Sequence, residues 1–467
     1  MNDCLDDLFK STTPLVSKRG IHLDLNGLPP TAKRMVDLLQ LFAGMRYNVV
    51  LVEWGDTFPW TVDQRFRSPT AFSTREIAIF VKTAADLGLE LIPLVQCLGH
   101  MENPLSVKGY EGLREIPDIE AGLNPLAPGA RELIQNMVDD VLALMPGVKH
   151  VHLGGDEART FGKNTETSAY IEKHGKGALY LHHVEPILNT LNDRDLRPIL
   201  WHDMMTDWDS DALTALAGKA DLMPWAYHGD PEKCEHHCNT EILERFRSHG
   251  ITLWGATAYK GAEGYDADIP DIPIHTENAA AWLRTAKRFA LTGLVATAWS
   301  RYAVDTIQCN PIDACLDSAL MVAVTLHDGE PPDGGVNACV DALASLDEKD
   351  RFVACRAAMT KLAHLRREGW EAVQHSRQLA VLGRIDERRT SARNLKLGFW
   401  GIVRLNEVVR ELDELTHETR TAFDGLMESI WIEEYLATRI EPLREERNLI
   451  VEENQLSDID QIQRLEG

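Results

Sequence analysis

The sequence predicts a (β/α)8 barrel followed by an all-helical C-terminal region, and three observations lead to this prediction. Eight short segments rich in apolar and β-branched residues recur through the first two thirds of the chain. Longer amphipathic stretches separate these segments, with apolar residues recurring at three and four positions. Beyond residue 335, long charged stretches with helical periodicity take over. A strand followed by a helix, repeated eight times, is the pattern of a closed parallel barrel.

The predicted strands are nearly all apolar, which is typical of parallel strands that are buried on both faces. Eight strands close a barrel and leave no unpaired edge, whereas a doubly wound open sheet usually has about five or six strands and glycine-rich phosphate loops. We find no such loop in the sequence. The strands, in chain order, are GIHLDLNG (20–27), YNVVLVEW (47–54), LELIPLVQ (89–96), HVHLGGDE (150–157), RPILWHDM (197–204), DLMPWAYH (221–228), ITLWGATAY (251–259) and GLVATAWS (293–300).

The stretches between the strands predict helices because their apolar residues fall on one face. TAKRMVDLLQLFAGM (31–45), TREIAIFVKTAADLG (74–88) and ARELIQNMVDDVLALM (130–145) show this pattern. In the C-terminal region, one apolar stripe runs through Leu405, Val408, Val409, Leu412 and Leu415.

Domain boundaries follow from the junction at residues 330–335, which is rich in proline and glycine. We predict an N-terminal lead-in over residues 1–18, a barrel over 19–329 and a helical C-terminal domain over 336–467. The helical domain either caps the barrel or completes a homodimer, and the sequence leaves both alternatives open.

Composition excludes several classes of partner. The chain has 467 residues, of which 72 are acidic and 48 are basic, so its formal net charge is −24. A protein that binds a phosphate backbone needs a basic surface, so we expect neither nucleic acid nor an anionic membrane as a partner. No run of apolar residues in the sequence is long enough to cross a bilayer. A neutral or cationic ligand fits this charge better.

The N-terminal segment and the cysteines favour a cytoplasmic protein. The first twenty residues carry acidic side chains where a secretory signal carries basic ones. The eight cysteines are sparse and lie mostly in apolar runs, as reduced thiols do.

One cluster of metal-capable side chains has to be weighed, namely Cys234, His236, His237 and Cys238. Zinc usually joins two separated ligand pairs, and no second pair lies at a suitable distance in the sequence. We interpret the cluster as the solvated start of a helix. The sequence therefore predicts neither a metal nor a cofactor.

Residues that close the predicted strands are the candidates for chemistry, because a barrel of this kind places its site at the carboxyl ends of its strands. Four tryptophans, one at each of four successive strand ends, are hard to explain as isolated core residues. Aromatic faces stack on the apolar faces of a sugar ring, and polar neighbours bind its hydroxyls. The pattern indicates a carbohydrate site formed by Glu53, Asp56, His100, Asp156, Glu157, Trp201, Asp203, Trp225, Tyr227, Trp254, Tyr259 and Trp299.

The adjacent carboxylates Asp156 and Glu157 suggest a mechanism. Most glycosidases take their two carboxylates from different strands, one on each side of the scissile bond. Two carboxylates that are adjacent in sequence suit a different division of roles. In it, Glu157 protonates the leaving oxygen while Asp156 holds a group on the sugar itself. Two alternatives stay open: a glycosidase with a carboxylate nucleophile such as Glu53, and a sugar-binding protein without turnover.

The motif VHLGGDEA (151–158) resembles the fourth-strand motif of the glycoside hydrolase family 20 β-N-acetylhexosaminidases. RGIHLD (19–24), NVVLVEWGDTFPW (48–60) and IPLVQCLGH (92–100) are similar to the first three strands of that family. The resemblance covers about residues 19–305 and is greatest to the hexosaminidase D-like branch.

This resemblance implies an exo-acting, retaining β-N-acetylhexosaminidase that releases terminal GalNAc or GlcNAc by substrate-assisted catalysis. Glu157 would be the general acid and base, with a raised pKa. Asp156 would stay ionised, orient the 2-acetamido group and stabilise the oxazolinium intermediate. Asp56 and His100 would support the acid. The implied partner is an oligosaccharide or glycoconjugate with a terminal β-linked N-acetylhexosamine.

The resemblance also assigns substrate contacts. Arg19 would bind ring hydroxyls, the tryptophans would line the acetamide pocket, and either Tyr227 or Tyr259 would donate to the acetamide oxygen. Glu53 is a candidate for binding O4 or O6 of the sugar. The sequence departs from the family pattern at positions that touch hydroxyl recognition, so the choice between GalNAc and GlcNAc stays open; these positions are Gly27, Gln96 and Arg301.

Overall fold

Eight parallel strands form the predicted barrel within the described part of the chain. The computed structural model describes residues 3–235, 238–264, 267–301, 303, 306–346, 351–385 and 401–453. Each predicted strand segment overlaps an observed strand. The barrel strands are β1 Lys18–Asp24, β2 Val49–Glu53, β3 Glu90–Leu94, β6 His150–His152, β7 Arg197–Trp201, β8 Asp221–Met223, β9 Gly255–Lys260 and β10 Gly293–Ala298.

The strands follow one another around the barrel in the order β8-β7-β6-β3-β2-β1-β10-β9. Parallel bridges from Leu222 to Leu253 and from Trp225 to Ala256 join the two ends of this sheet. The Ala256 amide donates to the Pro224 carbonyl at 2.8 Å. These contacts close the barrel, so the carboxyl ends of all eight strands meet at one rim.

The barrel interior is a packed apolar core. Side chains of alternating strand positions meet there, and both Trp201 and Trp254 are fully buried among them. Val49, Leu51 and Ile92 pack in the same cluster. The core supports the rim from below, as expected for a barrel whose centre is filled by side chains.

An antiparallel hairpin, β4 Arg114–Ile116 and β5 Ile119–Leu123, was absent from the sequence prediction. Its strands are short and mostly half-exposed, so they carry no apolar run that would mark them. The helices of the first unit that have at least seven residues are Ala32–Gly44, Thr74–Asp86, Ala130–Leu144, Thr165–His174, Lys176–Asn192, Ser210–Leu216, Thr240–Ser248, Ile272–Phe289, Leu316–Asp328 and Gly335–Leu346.

The chain divides into two compact units. The first comprises Met1–Asp266 and Pro270–Glu348, and the second comprises Ala267–Ile269 and Lys349–Gly467. The helix Gly335–Leu346, which the sequence assigned to the C-terminal domain, falls in the first unit because it packs against the helix Leu316–Asp328.

The second unit is built from the helices Arg351–Ile385, Val403–Phe423 and Ser429–Glu453. Asp268 is buried in this unit and accepts hydrogen bonds from Tyr435 at 2.6 Å and from Arg439 at 3.0 Å. Arg366 donates to its other oxygen at 2.5 Å. Asp268 therefore pairs with two guanidinium groups, and the side chain of one of them, Arg439, has no exposed surface.

None of the described helices is both long enough and apolar enough to cross a membrane. Within the same residues, no group of three or more histidine, cysteine or acidic side chains is arranged to hold a metal ion. In the cysteine–histidine cluster, Cys238 is buried, and His236 and His237 lie outside the described residues.

Replacing Asp268 with alanine is expected to destabilise the protein by about 3–5 kcal/mol, because it removes the carboxylate that neutralises a buried guanidinium. Asp413→Ala is the matched control, since Asp413 pairs with Arg444 at a half-exposed position of the same unit. We expect the control to cost at most about 1 kcal/mol. Urea unfolding followed by circular dichroism measures both, and equal losses would contradict the prediction.

Candidate active site

A pocket of about 380 Å³ opens at the rim where the barrel strands end. Its size falls in the range of about 300–1,000 Å³ that is usual for small-molecule sites. Its lining residues lie at or just beyond the ends of seven strands, namely β1, β2, β3, β6, β8, β9 and β10. The pocket is lined by Asp24, Asn26, Glu53, Gln96, His100, Asp156, Glu157, Trp225, Tyr227, Gly261, Ala262, Gly264, Trp299, Arg301 and Ala303.

Two glycines shape the turn that carries Asp156 and Glu157. Gly154 has a φ of 57° and Gly155 a φ of 83°, values that residues with a side chain rarely adopt. A Cβ atom at Gly154 would lie 1.8 Å from Oε1 of Gln96. The glycine pair therefore lets the chain turn sharply after β6 while Gln96 lies against its backbone.

Glu157 and His100 also adopt left-handed backbone conformations, with φ of 43° and 53°. Such conformations are unfavourable for residues with a side chain and cluster at functional sites. Close packing holds the two segments together, since a Cβ atom at Gly99 would lie 2.0 Å from the Asp156 carbonyl oxygen. The strained residues face each other across this contact.

His100 bridges the two adjacent carboxylates. Its Nε2 atom lies 3.5 Å from Oδ2 of Asp156 and 3.6 Å from Oε2 of Glu157. Burial opposes protonation of the imidazole, but the two carboxylates outweigh it and raise the pKa of His100 well above its usual value. A protonated His100 thus provides positive charge between Asp156 and Glu157.

The pKa of Glu157 is lowered, whereas the sequence analysis expects it to be raised. The hydrogen bond from His100 is the largest cause, and the guanidinium of Arg159, 3.3 Å from Oε1, lowers it further. Both cations stabilise the ionised carboxylate more than burial destabilises it. The unliganded pocket therefore favours the ionised form of Glu157.

Asp203 connects Glu157 to the aromatic wall. Its Oδ2 atom accepts the backbone amide of Glu157 at 2.9 Å, and its Oδ1 atom accepts the indole N–H of Trp225 at 3.3 Å. Burial, together with the charge of Asp156, raises the pKa of Asp203 to about 7. Asp203 lies behind the pocket wall and orients its neighbours.

Glu53, at the end of β2, has a pKa of about 8, raised first by burial and then by the charges of Asp24 and Asp156. Gln96 donates to its Oε1 atom at 3.3 Å, and Oε1 of Gln96 accepts the Gly155 amide at 3.3 Å. Gln96 therefore links Glu53 to the turn that carries Asp156. At neutral pH this environment favours a protonated Glu53.

Three aromatic side chains form one wall of the pocket. The rings of Trp225 and Tyr227 stack with centroids 5.3 Å apart and planes inclined by 18°. Trp299 lies 6.1 Å from Tyr227. Trp201 lies fully buried in the barrel, 6.1 Å from Trp299, so it supports the wall without lining the pocket.

The structure distinguishes the two candidate tyrosines. Tyr227 lines the pocket. Tyr259 is fully buried, and its hydroxyl donates to the His22 carbonyl at 3.1 Å. Only Tyr227 is therefore placed to meet a ligand in this pocket.

Three other candidates lie away from the described lining of the pocket. Trp254 is buried in the barrel, where its indole N–H donates to Asp221, at the start of β8, at 3.2 Å. Arg19, near the start of β1, donates to the carbonyls of Arg46 and Val16, both at 2.8 Å. Asp56 lies in the turn Gly55–Thr57 after β2. Arg19 was a candidate because of the family resemblance and Trp254 because of its place in a predicted strand. Both lie toward the amino end of the barrel.

The sequence analysis did not single out Asp24 and Asn26, which also line the pocket. Asp24 ends β1 and accepts both the Asn26 amide at 2.9 Å and the Ser300 amide. The signal was present, because Asp24 is the aspartate of the RGIHLD segment and closes a predicted strand. Its place at a strand end points to the pocket as directly as that of Glu53.

Two carboxylate oxygens of pocket-lining residues have no hydrogen-bond partner among the described residues, namely Oδ1 of Asp156 and Oε2 of Glu53. Asp156 is buried and lines the pocket, and its Oδ1 atom has no hydrogen-bond partner among the described residues. Buried polar atoms nearly always have a partner, so such an atom needs one from outside the protein. Asp156 is therefore a pocket-lining carboxylate with one acceptor atom that no described residue uses.

Comparisons with known proteins identify the family of the chain. The family model "Glycosyl hydrolase family 20, catalytic domain" matches residues 51–240. Human Hexosaminidase D is 31% identical over 355 residues, which cover 73% of this chain and 72% of that protein. Hexosaminidase D of Bos taurus is 31% identical over 321 residues, which cover 66% of this chain and 92% of that protein.

Solved structures support the fold. The chitobiase of Flavobacterium johnsoniae matches with a TM-score of 0.54 at 13% identity, covering 94% of this chain and 78% of that one. The β-N-acetylhexosaminidase of Bacteroides fragilis matches with a TM-score of 0.52 at 16% identity, covering 68% of each chain. With the Asp156–Glu157 pair at the end of β6 and the relatives at 31% identity, the chain belongs to glycosyl hydrolase family 20, in its hexosaminidase D-like branch.

Proposed function

We propose that this protein is an exo-acting, retaining β-N-acetylhexosaminidase that removes terminal GalNAc or GlcNAc by substrate-assisted catalysis. The observation that carries the proposal is Asp156, a pocket-lining carboxylate directly before Glu157 whose Oδ1 atom has no hydrogen-bond partner among the described residues. The N–H group of a 2-acetamido substituent would supply that partner. A sugar with a hydroxyl group at C2 in place of the acetamide lacks the amide that the mechanism uses.

The residues of the pocket divide the reaction between them. Asp156 accepts the acetamide N–H and turns the acetamide oxygen toward the anomeric carbon. Glu157 donates its proton to the leaving oxygen as the glycosidic bond breaks, and the acetamide oxygen forms the new bond to that carbon. The ionised Asp156 then stabilises the positive oxazolinium ion.

The second half of the reaction uses the same groups. Glu157, now ionised, takes a proton from water as the water oxygen attacks the anomeric carbon. The bond to the acetamide oxygen breaks, and the substituent regains its original form. Two inversions at one carbon retain its configuration.

Glu53 is poorly suited to the alternative role of carboxylate nucleophile. Its pKa of about 8 favours the neutral acid at neutral pH, because burial and the charge of Asp24 disfavour ionisation. A neutral carboxyl group is a weak nucleophile and a good hydrogen-bond donor. This supports the choice of the acetamide oxygen as the nucleophile.

Hydrolysis of 4-nitrophenyl glycosides tests the function. We expect turnover of the N-acetyl-β-galactosaminide, the N-acetyl-β-glucosaminide or both, and negligible turnover of the plain β-galactoside and β-glucoside. Asp156→Asn should lower kcat by at least about 100-fold, because the oxazolinium ion loses its counter-charge. The melting temperature of this variant should stay close to that of the wild type. Equal rates on sugars with and without the acetamide would overturn the mechanism.

The two tyrosines offer a matched pair of variants. Tyr227→Phe removes the hydroxyl of the tyrosine that lines the pocket and should lower kcat by about 100-fold if this hydroxyl donates to the acetamide oxygen. Tyr259→Phe removes a buried hydroxyl and should cost about 1 kcal/mol of stability while leaving kcat unchanged. Steady-state kinetics and thermal melting separate the two effects, and a larger kcat loss in Tyr259→Phe would contradict the assignment.

The pH profile tests the link between His100 and Glu157. The acid must be protonated to act, so kcat/KM falls as the pH rises through the pKa of Glu157 in the free enzyme. His100 lowers this pKa, and its removal should move the alkaline limb to higher pH. His100→Asn suits the test because asparagine tolerates the left-handed backbone of this position. An alkaline limb that stays in place or moves to lower pH would show that His100 does not control Glu157.

Cytoplasmic location and a homodimer through the helical region stay predictions from the sequence.

A further inference from the structure

The order of the strands places β10 directly across the barrel from β6. Four steps separate them in either direction, through β3, β2 and β1 or through β7, β8 and β9. Glu157 follows β6 and Arg301 follows β10, and both line the pocket. Arg301 therefore lies on the side of the pocket opposite the proposed acid.

A pyranose ring likewise has two distinct ends. Its C1 and C4 atoms lie at opposite ends of the six-membered ring. If the proposed function holds, the C1 oxygen meets Glu157, and C4 with its hydroxyl is directed toward β10 and its neighbour β1. Arg301, Asp24 and Asn26 line that side of the pocket.

Contacts within its own loop orient the side chain of Arg301. Its Nη1 atom donates to the carbonyl of Thr306, and its backbone pairs with that of Gln308. Gln308 in turn donates to the Gly27 carbonyl at 3.4 Å. The loop after β10 is thus attached to the loop after β1, with the guanidinium between them.

Gly27 supplies the space that this guanidinium occupies. A Cβ atom on Gly27 would lie 1.9 Å from Nε and 2.7 Å from Cζ of Arg301. The φ of Gly27 is 78°, a conformation that also favours glycine. The position of the Arg301 guanidinium therefore depends on the absence of a side chain at residue 27.

We propose that Arg301, held over Gly27, binds the C4 hydroxyl of the terminal sugar and is a specificity-determining residue between GalNAc and GlcNAc. These two sugars differ only in the configuration at C4. A guanidinium is a fixed fork of N–H donors that accepts no hydrogen bond, so it distinguishes the position of the hydroxyl oxygen. The proposal rests on the proposed function, which brings C1 to Glu157.

A cycle of enzyme and substrate changes tests the contact. The substrates are the preferred 4-nitrophenyl N-acetyl-β-hexosaminide and its 4-deoxy analogue. We expect the 4-deoxy change to lower kcat/KM of the wild type by about 10- to 100-fold, the usual effect of losing a hydrogen bond to a charged group. Arg301→Ala should show a similar loss on the full substrate and little further loss on the 4-deoxy substrate.

Gly27→Ala gives an independent second variant, because it displaces the guanidinium and keeps its charge. As in Arg301→Ala, kcat/KM of this variant should be nearly the same on the full substrate and on the 4-deoxy substrate. Gly88→Ala is the matched control, since Gly88 has a φ of 70° and no described atom lies within 4 Å of its Cβ position. The control carries similar backbone strain and should respond to the 4-deoxy change as the wild type does.

The outcomes separate the two proposals. If the 4-deoxy change lowers kcat/KM of Arg301→Ala as much as it lowers that of the wild type, the two effects are independent. That result overturns the contact and leaves the proposed function standing. The contact is overturned in the same way if Gly27→Ala keeps the wild-type response. A wild type that hydrolyses neither N-acetylhexosaminide overturns the proposed function and, with it, the role of Arg301.

Discussion

Backbone hydrogen bonds between β8 and β9 close the sheet, and this closure gathers residues from distant parts of the chain at one rim. Asp24 and Trp299 are separated by most of the barrel sequence, yet the strands that carry them are neighbours. Closure also fixes which strand ends face each other. The carboxylate pair after β6 lies across from the end of β10 because four strand spacings separate them on either side. Strand order therefore places Glu157 at one end of the pocket and Arg301 at the other.

The carboxylates that crowd the rim have pKa values shifted in different directions. Burial and mutual repulsion raise the pKa of Glu53 to about 8 and that of Asp203 to about 7. His100 and Arg159 lower the pKa of Glu157. Environments that push apart the pKa values of like groups are characteristic of acid–base sites. If the proposed function holds, bound substrate changes the environment of Glu157, so the lowered pKa describes the free enzyme.

Local pattern was enough to predict the eight barrel strands and the side chains that end most of them. Glu53, His100, Asp156, Glu157, Trp225, Tyr227 and Trp299 all line the pocket. Two candidates lie instead toward the amino ends of strands: Arg19, which the family resemblance implies, and Trp254, which the strand pattern suggests. Arg19 meets the backbone at the amino end of the barrel, and Trp254 precedes β9 and points to Asp221. The pocket lies at the carboxyl ends of the strands, so a residue at the start of β1 or before β9 is a strand length away from it.

The sequence by itself determined the strand count, the acidic balance and the adjacent Asp156–Glu157 pair, because these depend only on residue type and spacing. Tertiary structure decided which tyrosine faces the pocket, since Tyr227 and Tyr259 differ in burial rather than in local pattern. It also decided the direction in which the pKa of Glu157 moves, because His100 and Glu157 meet only when β3 and β6 lie side by side. The pairing of Gly27 with Arg301 has the same origin. Residues far apart in the chain come into contact only when the barrel closes.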